Sequence, residues 1–191
     1  MDTFERVGWV PFLEKIKEHH EGVSHAFTKS YDGESVHLGE PMLTITKDTI
    51  EESIELPSTG DKYFKCIIID RSLCQKFLKY KHLDPDWRKG ISTSWIKEEY
   101  FMILFYLHKF LTYEGRYAVT FHYHLRLLLH FEGGPQIYFP HFLWMSLNKM
   151  VRGVKSSSKK PETSLYHHGL MKLIVVHELR KQDNSWKKFF T

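Results

Sequence analysis

The 191 residues carry 42% hydrophobic and 15% aromatic side chains, with 27 Lys+Arg against 23 Asp+Glu and a net charge of +4. That aromatic content favours a packed core over disorder. Two cysteines, Cys66 and Cys74, are too few for a disulfide scaffold and read as buried reduced thiols, and no apolar run approaches the roughly 18 residues that a membrane span requires.

The first residues, MDTFERVGW, place acid before any base and contain no apolar stretch of signal-peptide length. An intracellular protein is therefore expected, nuclear or cytoplasmic and not secreted. The length fits a single domain over 1–191. Charge is divided along it: residues 1–60 hold 5 Lys+Arg against 12 Asp+Glu, residues 61–144 hold 12 against 8, and residues 145–191 hold 10 against 3. The acidic and basic parts can face each other within one molecule, meet in two copies, or leave the basic end to nucleic acid.

In chain order, residues 4–20 predict a helix or a broken pair of short helices, with Gly8 as a break and Pro11 suited to a first helical turn. Two β-prone runs around Asp32-Gly33 predict an antiparallel hairpin with strands near 24–29 and 35–38. A short strand over 42–45 follows. Thr46 is the expected N-cap of a helix over 47–55 that Leu56-Pro57 ends, and Asp48, Glu51 and Glu52 suit its positive end. Residues 63–69 form an apolar segment of open type, and Asp70 is expected to cap a helix from Arg71 to about Tyr80.

The densest apolar region runs from Ser94, an expected cap, to Met150. It predicts three helices: one through the uninterrupted apolar run 100–107, one over about 116–131 stopped by Gly133-Gly134-Pro135, and one opened by Phe139-Pro140 and reaching about Arg152. A helix apolar all round is expected at the centre of a domain. Residues 153–163 (GVKSSSKKPET) read as a basic, serine-rich loop, and residues 164–181 as a last helical segment weakened by Gly169 and the Ile174-Val175-Val176 run. The fold class is thus mainly α, built on a buried three-helix core over about 95–152 with a small N-terminal β-hairpin element. Its subregions are 1–60, 61–152, 153–163 and 164–191.

Motifs for chemistry are absent. Histidines at 19, 20 and 25, at 122 and 124, and at 167 and 168 lack metal-site spacing; His122 and His124 would stand about 200° apart on a helix. Neither His19-His20-Glu21 nor His177-Glu178 completes an H-E-x-x-H pattern. There is no nucleophile elbow, phosphate loop or dinucleotide fingerprint, so no catalytic residue, metal or cofactor is assigned. The carboxylates at 84/86 and 98/99 fit turns and helix starts. The basic run Lys149, Arg152, Lys155, Lys159 and Lys160, beside Trp144 and Tyr166, is the candidate nucleic-acid surface, for RNA or DNA.

Two stretches carry a family likeness. Residues 22–60 and 87–179, above all FEGGPQIYFPHFLWMSLNKM and KKPETSLYHHGLMKLIVVHEL, resemble the plant transposon protein domain of retroelement-derived, gag-like open reading frames. Gly39-Glu40, Thr44-Ile45-Thr46, Asp48 and Leu56-Pro57 before Gly60 resemble, more weakly, the start of a plant mobile domain. The resemblance implies a non-enzymatic structural or interaction protein that self-associates, with nucleic-acid binding as the alternative. It supplies no catalytic residue to carry over, and a transposase or nuclease is not supported by any motif.

Overall fold

The computed structural model describes residues 2–18, 20–39, 41–63, 70–80, 85–86, 89–110, 118–156 and 168–182. The elements are α1 (Asp2–Arg6), α2 (Val10–Ile16), α3 (Glu21–Ser30), β1 (Ser35–His37), β2 (Met42–Thr44), α4 (Lys47–Ile54), α5 (Arg71–Phe77), β3 (Ile91–Ser92), α6 (Phe101–Phe110), β4 (Val119–Thr120), α7 (His122–Phe131), α8 (Phe139–Ser156) and α9 (His168–Gln182). The protein is mainly helical with a small antiparallel sheet near the N-terminus, as its sequence predicts. No described helix is long and apolar enough to cross a membrane.

Local signals set several boundaries as expected. Gly8, at φ 72°, breaks α1 from α2, and Pro11 lies in the first turn of α2. Thr46 caps α4 by accepting from the Thr49 amide, while the Thr49 hydroxyl accepts in turn from the Thr46 amide. Replacing Thr46 by alanine orphans a helix-end amide, so Thr46→Ala is expected to cost about 1 kcal/mol, read as a shift in the urea midpoint. Asp70 caps α5 through the Ser72 amide.

The predicted strand at 24–29 is instead the body of α3. Val23 and Phe27, one turn apart, are buried with Ser24 and Thr28, and the two hydroxyls return to the carbonyls of His20 and Ser24. A buried face at helical spacing overrides the β-prone residue types. Asp32 accepts from the amides of Glu34 and Ser35, which turns α3 into β1 and holds its own carboxyl down at about 2. The hairpin is therefore β1 with β2, in the register Ser35↔Thr44, Val36↔Leu43, His37↔Met42. Val36 and Leu43 face the core, and His37 and Met42 face out.

Three further boundaries differ for one reason, backbone pairing. The helix after Asp70 stops at Phe77 because Leu78 bridges to Ile96 and the Lys79 amide donates to the Trp95 carbonyl. Ser94 sits in a 3-10 turn, Thr93–Trp95, and α6 begins only at Phe101 after a second such turn, Glu98–Tyr100. The helix expected from 116 begins at His122, since Val119 and Thr120 pair with β3. Residues 153–156, expected in the basic loop, continue α8, while 157–163 lie outside the described residues. So do 64–69, with Cys66; Cys74 is a buried free thiol whose pKa burial pushes up to about 11.

The core joins α8 and α7 to the N-terminal helices directly, and α9 packs on those helices from another side. That helix packs against α2, α3, α4 and β2, while α8 packs on α4 and α3, and α7 on α1, α5 and α6. Leu170, Met171, Ile174, Val175 and Leu179 are buried along α9. Contact from three helices explains why α9 shows so little amphipathic pattern in sequence. In contrast α6 lies at the edge. Leu104 and Leu107 are buried, but Met102 is 62% and Phe105 45% exposed, so the helix that reads as central presents one apolar face to water.

Candidate functional site

The basic run is placed only in part. Lys149 and Arg152 are exposed one turn apart on α8. Lys155 falls in the same helix, and Lys159 and Lys160 lie outside the described residues. Arg152 lines a small cavity of about 50 Å3 together with Tyr31, Gly33 and Asn148. There the buried Tyr31 hydroxyl donates to the Gly33 carbonyl at 2.9 Å, and burial pushes its pKa up to about 12.

The raised value makes a prediction with a definite sign. Tyrosine in the unfolded chain loses its proton near 10, so below that pH the neutral form stabilises the fold in full. Stability is then expected to fall by about 2–3 kcal/mol as pH rises from roughly 10 to 12. Urea titrations at pH 9 and pH 11.5 check this, and Tyr31→Phe should show a shallower alkaline decline than the parent.

Among the described residues the candidate metal histidines do not gather. His20 caps α3 through Nδ1, which accepts from the Val23 amide, and His124 Nδ1 accepts from the Phe121 amide. His108 and His124 are buried with ring centroids 4.3 Å apart, and His122 is not part of that pair. His19 and His167 lie outside the described residues. Among the described residues one set of three metal-ligating groups does converge, Glu52 on α4 with His177 and Glu178 on α9, with ligand atoms within 4.8 Å of one another. Lys181 occupies that convergence: its ammonium donates to Glu52 and, at 3.1 Å, to Glu178. His177 Nε2 stands 3.3 Å from Glu52 Oε2. The lysine supplies the positive charge that a metal ion would otherwise bring, and the cluster fastens α4 to α9.

These contacts answer the question posed by the divided charge. Acidic residues of the N-terminal part meet basic residues of α9 inside one chain: Glu52 with Lys181, and Glu18 with Lys172 at 2.8 Å. The Lys172 hydrogen bond holds the Glu18 carboxyl below its usual range, and Lys181 followed by His177 does the same for Glu52. An open groove of about 520 Å3 between α2, α4 and α9 lies among these pairs, with Lys15 bonded to Glu55 at 2.5 Å on one side and Lys172 to Glu18 on the other. Exposed pairs of this kind each add little stability. Their effect is to use up, within the molecule, charge that a partner would need.

Two large apolar side chains of α6 are exposed on its outer face. Met102 and Phe105 stand one turn apart there, and Phe101 is partly buried beside them with the Lys79 ammonium 5.1 Å from its ring centroid. Lys79 also pairs with Glu98 at 3.2 Å, and the Glu98 side chain is 82% exposed. Sequence reading missed this face because a run of eight apolar residues gives no hint of which side stays wet. No family model, curated protein or solved structure matches the chain.

Proposed function

We propose that this chain is a non-enzymatic, self-associating interaction domain, of the plant retroelement-derived, gag-like kind that its motifs resemble, and that a second copy docks on the outer face of α6. The observation that carries the reading is the exposure of Met102 and Phe105, 62% and 45%, on a helix whose opposite side is buried. Charge attraction between the acidic and basic parts of two copies supports it less, because Glu18 and Glu52 already hold Lys172 and Lys181 within one chain. Apolar contact is the remaining source of affinity.

Its size follows from the side chains. Met102 and Phe105 are already about half buried, so covering the rest contributes about 1–1.5 kcal/mol for each side chain of each copy. Association costs about 4–15 kcal/mol in lost freedom. A weak dimer is the consequence, detectable at high micromolar concentration.

Light scattering over a concentration series is the test. The parent chain is expected to approach twice the monomer mass, and the double variant Met102→Glu, Phe105→Glu to remain monomeric while still melting cooperatively. A parent that stays monomeric throughout overturns the proposal. The second reading, nucleic-acid binding, is favoured by the exposure of Lys149 and Arg152 on α8. Adding a mixed RNA and DNA pool separates the two, since a mass that rises only with nucleic acid supports the basic run instead.

A further inference from the structure

We infer that the start of α8 and the segment 61–63 pinned beside it form a surface for single-stranded nucleic acid, with bases on Tyr63 and His141 and phosphates on Lys47 and Lys62. The inference rests on the nucleic-acid reading above and not on self-association. It moves the centre of that reading from the basic run to residues outside it. Backbone pairing builds the surface: Asp61 bridges to Ile137, its amide donating to the Gln136 carbonyl at 3.0 Å while the Tyr138 amide donates to the Asp61 carbonyl at 3.1 Å. Gly60, at φ 124°, permits this approach, since a β-carbon there would meet the Gln136 backbone at 2.6 Å. The exposed Lys62 and Tyr63 are thereby set beside the first turn of α8. Lys47, the first residue of α4, comes to the same turn: its ammonium stands 5.4 Å from the Tyr138 ring centroid, and that of Lys62 5.2 Å.

Rings lie among these cations. Tyr63, 67% exposed, meets His141 edge-on with centroids 5.9 Å apart, and His141 lies 6.1 Å from the partly buried Trp144. Burial, and then the charges of Lys47 and Lys62, hold His141 below its usual range, so at neutral pH it offers an uncharged ring. Two nearby carboxylates are engaged, Glu51 by the Tyr138 hydroxyl and Asp61 by Arg126 at 3.6 Å. Lys47 meets Asp48 at 3.8 Å, a long contact to a mostly exposed carboxylate that a phosphate can replace. The 18 residues of α8 include no acid, and exposed Met145, Lys149 and Arg152 follow His141 at spacings of four, four and three. That stripe gives a bound strand about 16 Å of helix to follow. A duplex hides its base faces in its own stack, so rings beside cations suit single strands.

The test is fluorescence anisotropy on the full chain with labelled oligouridylate and oligothymidylate of about 12 nucleotides. Tyr63→Ala is expected to weaken binding about tenfold, and Tyr63→Phe, which keeps the ring, to leave it unchanged. Lys47→Ala and Lys62→Ala should each lower the slope of log affinity against log salt by about 0.7. Thermal melts confirm that these surface variants are folded. Either probe showing these losses supports the surface, and the ratio of the two affinities shows whether RNA or DNA is preferred. If Lys159→Ala, Lys160→Ala abolishes binding while Tyr63→Ala changes nothing, this surface is overturned and the basic run stands. A duplex of the same length bound as tightly as the single strands also overturns it. A parent that binds neither probe at low salt overturns both the surface and the nucleic-acid reading.

Discussion

Gly169→Ala is expected to destabilise the protein by about 3 kcal/mol or more, at the upper end of what overpacking a core costs. On helix propensity alone the change should help by about 1 kcal/mol, because alanine suits a helix interior better than glycine. Tertiary contact reverses the sign. A β-carbon at position 169 would stand 1.8 Å from the Ile16 carbonyl oxygen, 2.6 Å from its carbonyl carbon and 2.8 Å from its Cα. All three are backbone atoms at the end of α2, so no rotamer change relieves the clash, and α9 must move off α2. That movement opens the contact on which Ile16 and Leu170 are buried. Urea denaturation of parent and variant measures the loss. A variant as stable as the parent would mean that the two segments do not approach this closely.

Trp9→Ala should cost a comparable amount, about 3–5 kcal/mol, the range for removing a fully buried large aromatic. Trp9 is 1% exposed and meets the rings of Phe12, Phe131 and Phe139 edge-on, with centroids 5.8, 4.9 and 4.6 Å away. One side chain thus ties the start of α2 to α7 and α8. Trp9→Phe keeps an aromatic there and should lose clearly less. The same denaturation series decides it, and equal losses for the two variants would show that the ring contacts add nothing beyond volume.

These two residues show how unevenly the fold is legible in the chain. Gly169 reads from sequence as a weak point in the last helix, and Trp9 draws no reading beyond its place beside the break at Gly8. In the structure each marks a place where distant segments touch. The β-prone residues at 24–29 mislead for a similar reason, since Val23 and Phe27 are held at helical spacing by the core they share with α9. The candidate sites fare no differently. The carboxylates of α4 suit the positive end of a helix by their spacing, but Glu52 is taken by a lysine 129 residues later and Glu51 accepts from the Tyr138 hydroxyl.

By itself the sequence determined the helical class, the break at Gly8, the caps at Thr46 and Asp70, the strand at 42–44 and the stop after Phe131. Each of those signals is complete within a few neighbouring residues, because a cap, a turn or a proline acts on backbone groups beside it. Only the tertiary structure decided that α9 is the helix packed on three sides, that Glu18 and Glu52 meet Lys172 and Lys181 within one chain, and that α6 keeps Met102 and Phe105 exposed. Those outcomes depend on which surfaces meet across more than a hundred residues of chain. Local patterning specifies that a face is apolar, and only packing specifies what covers it.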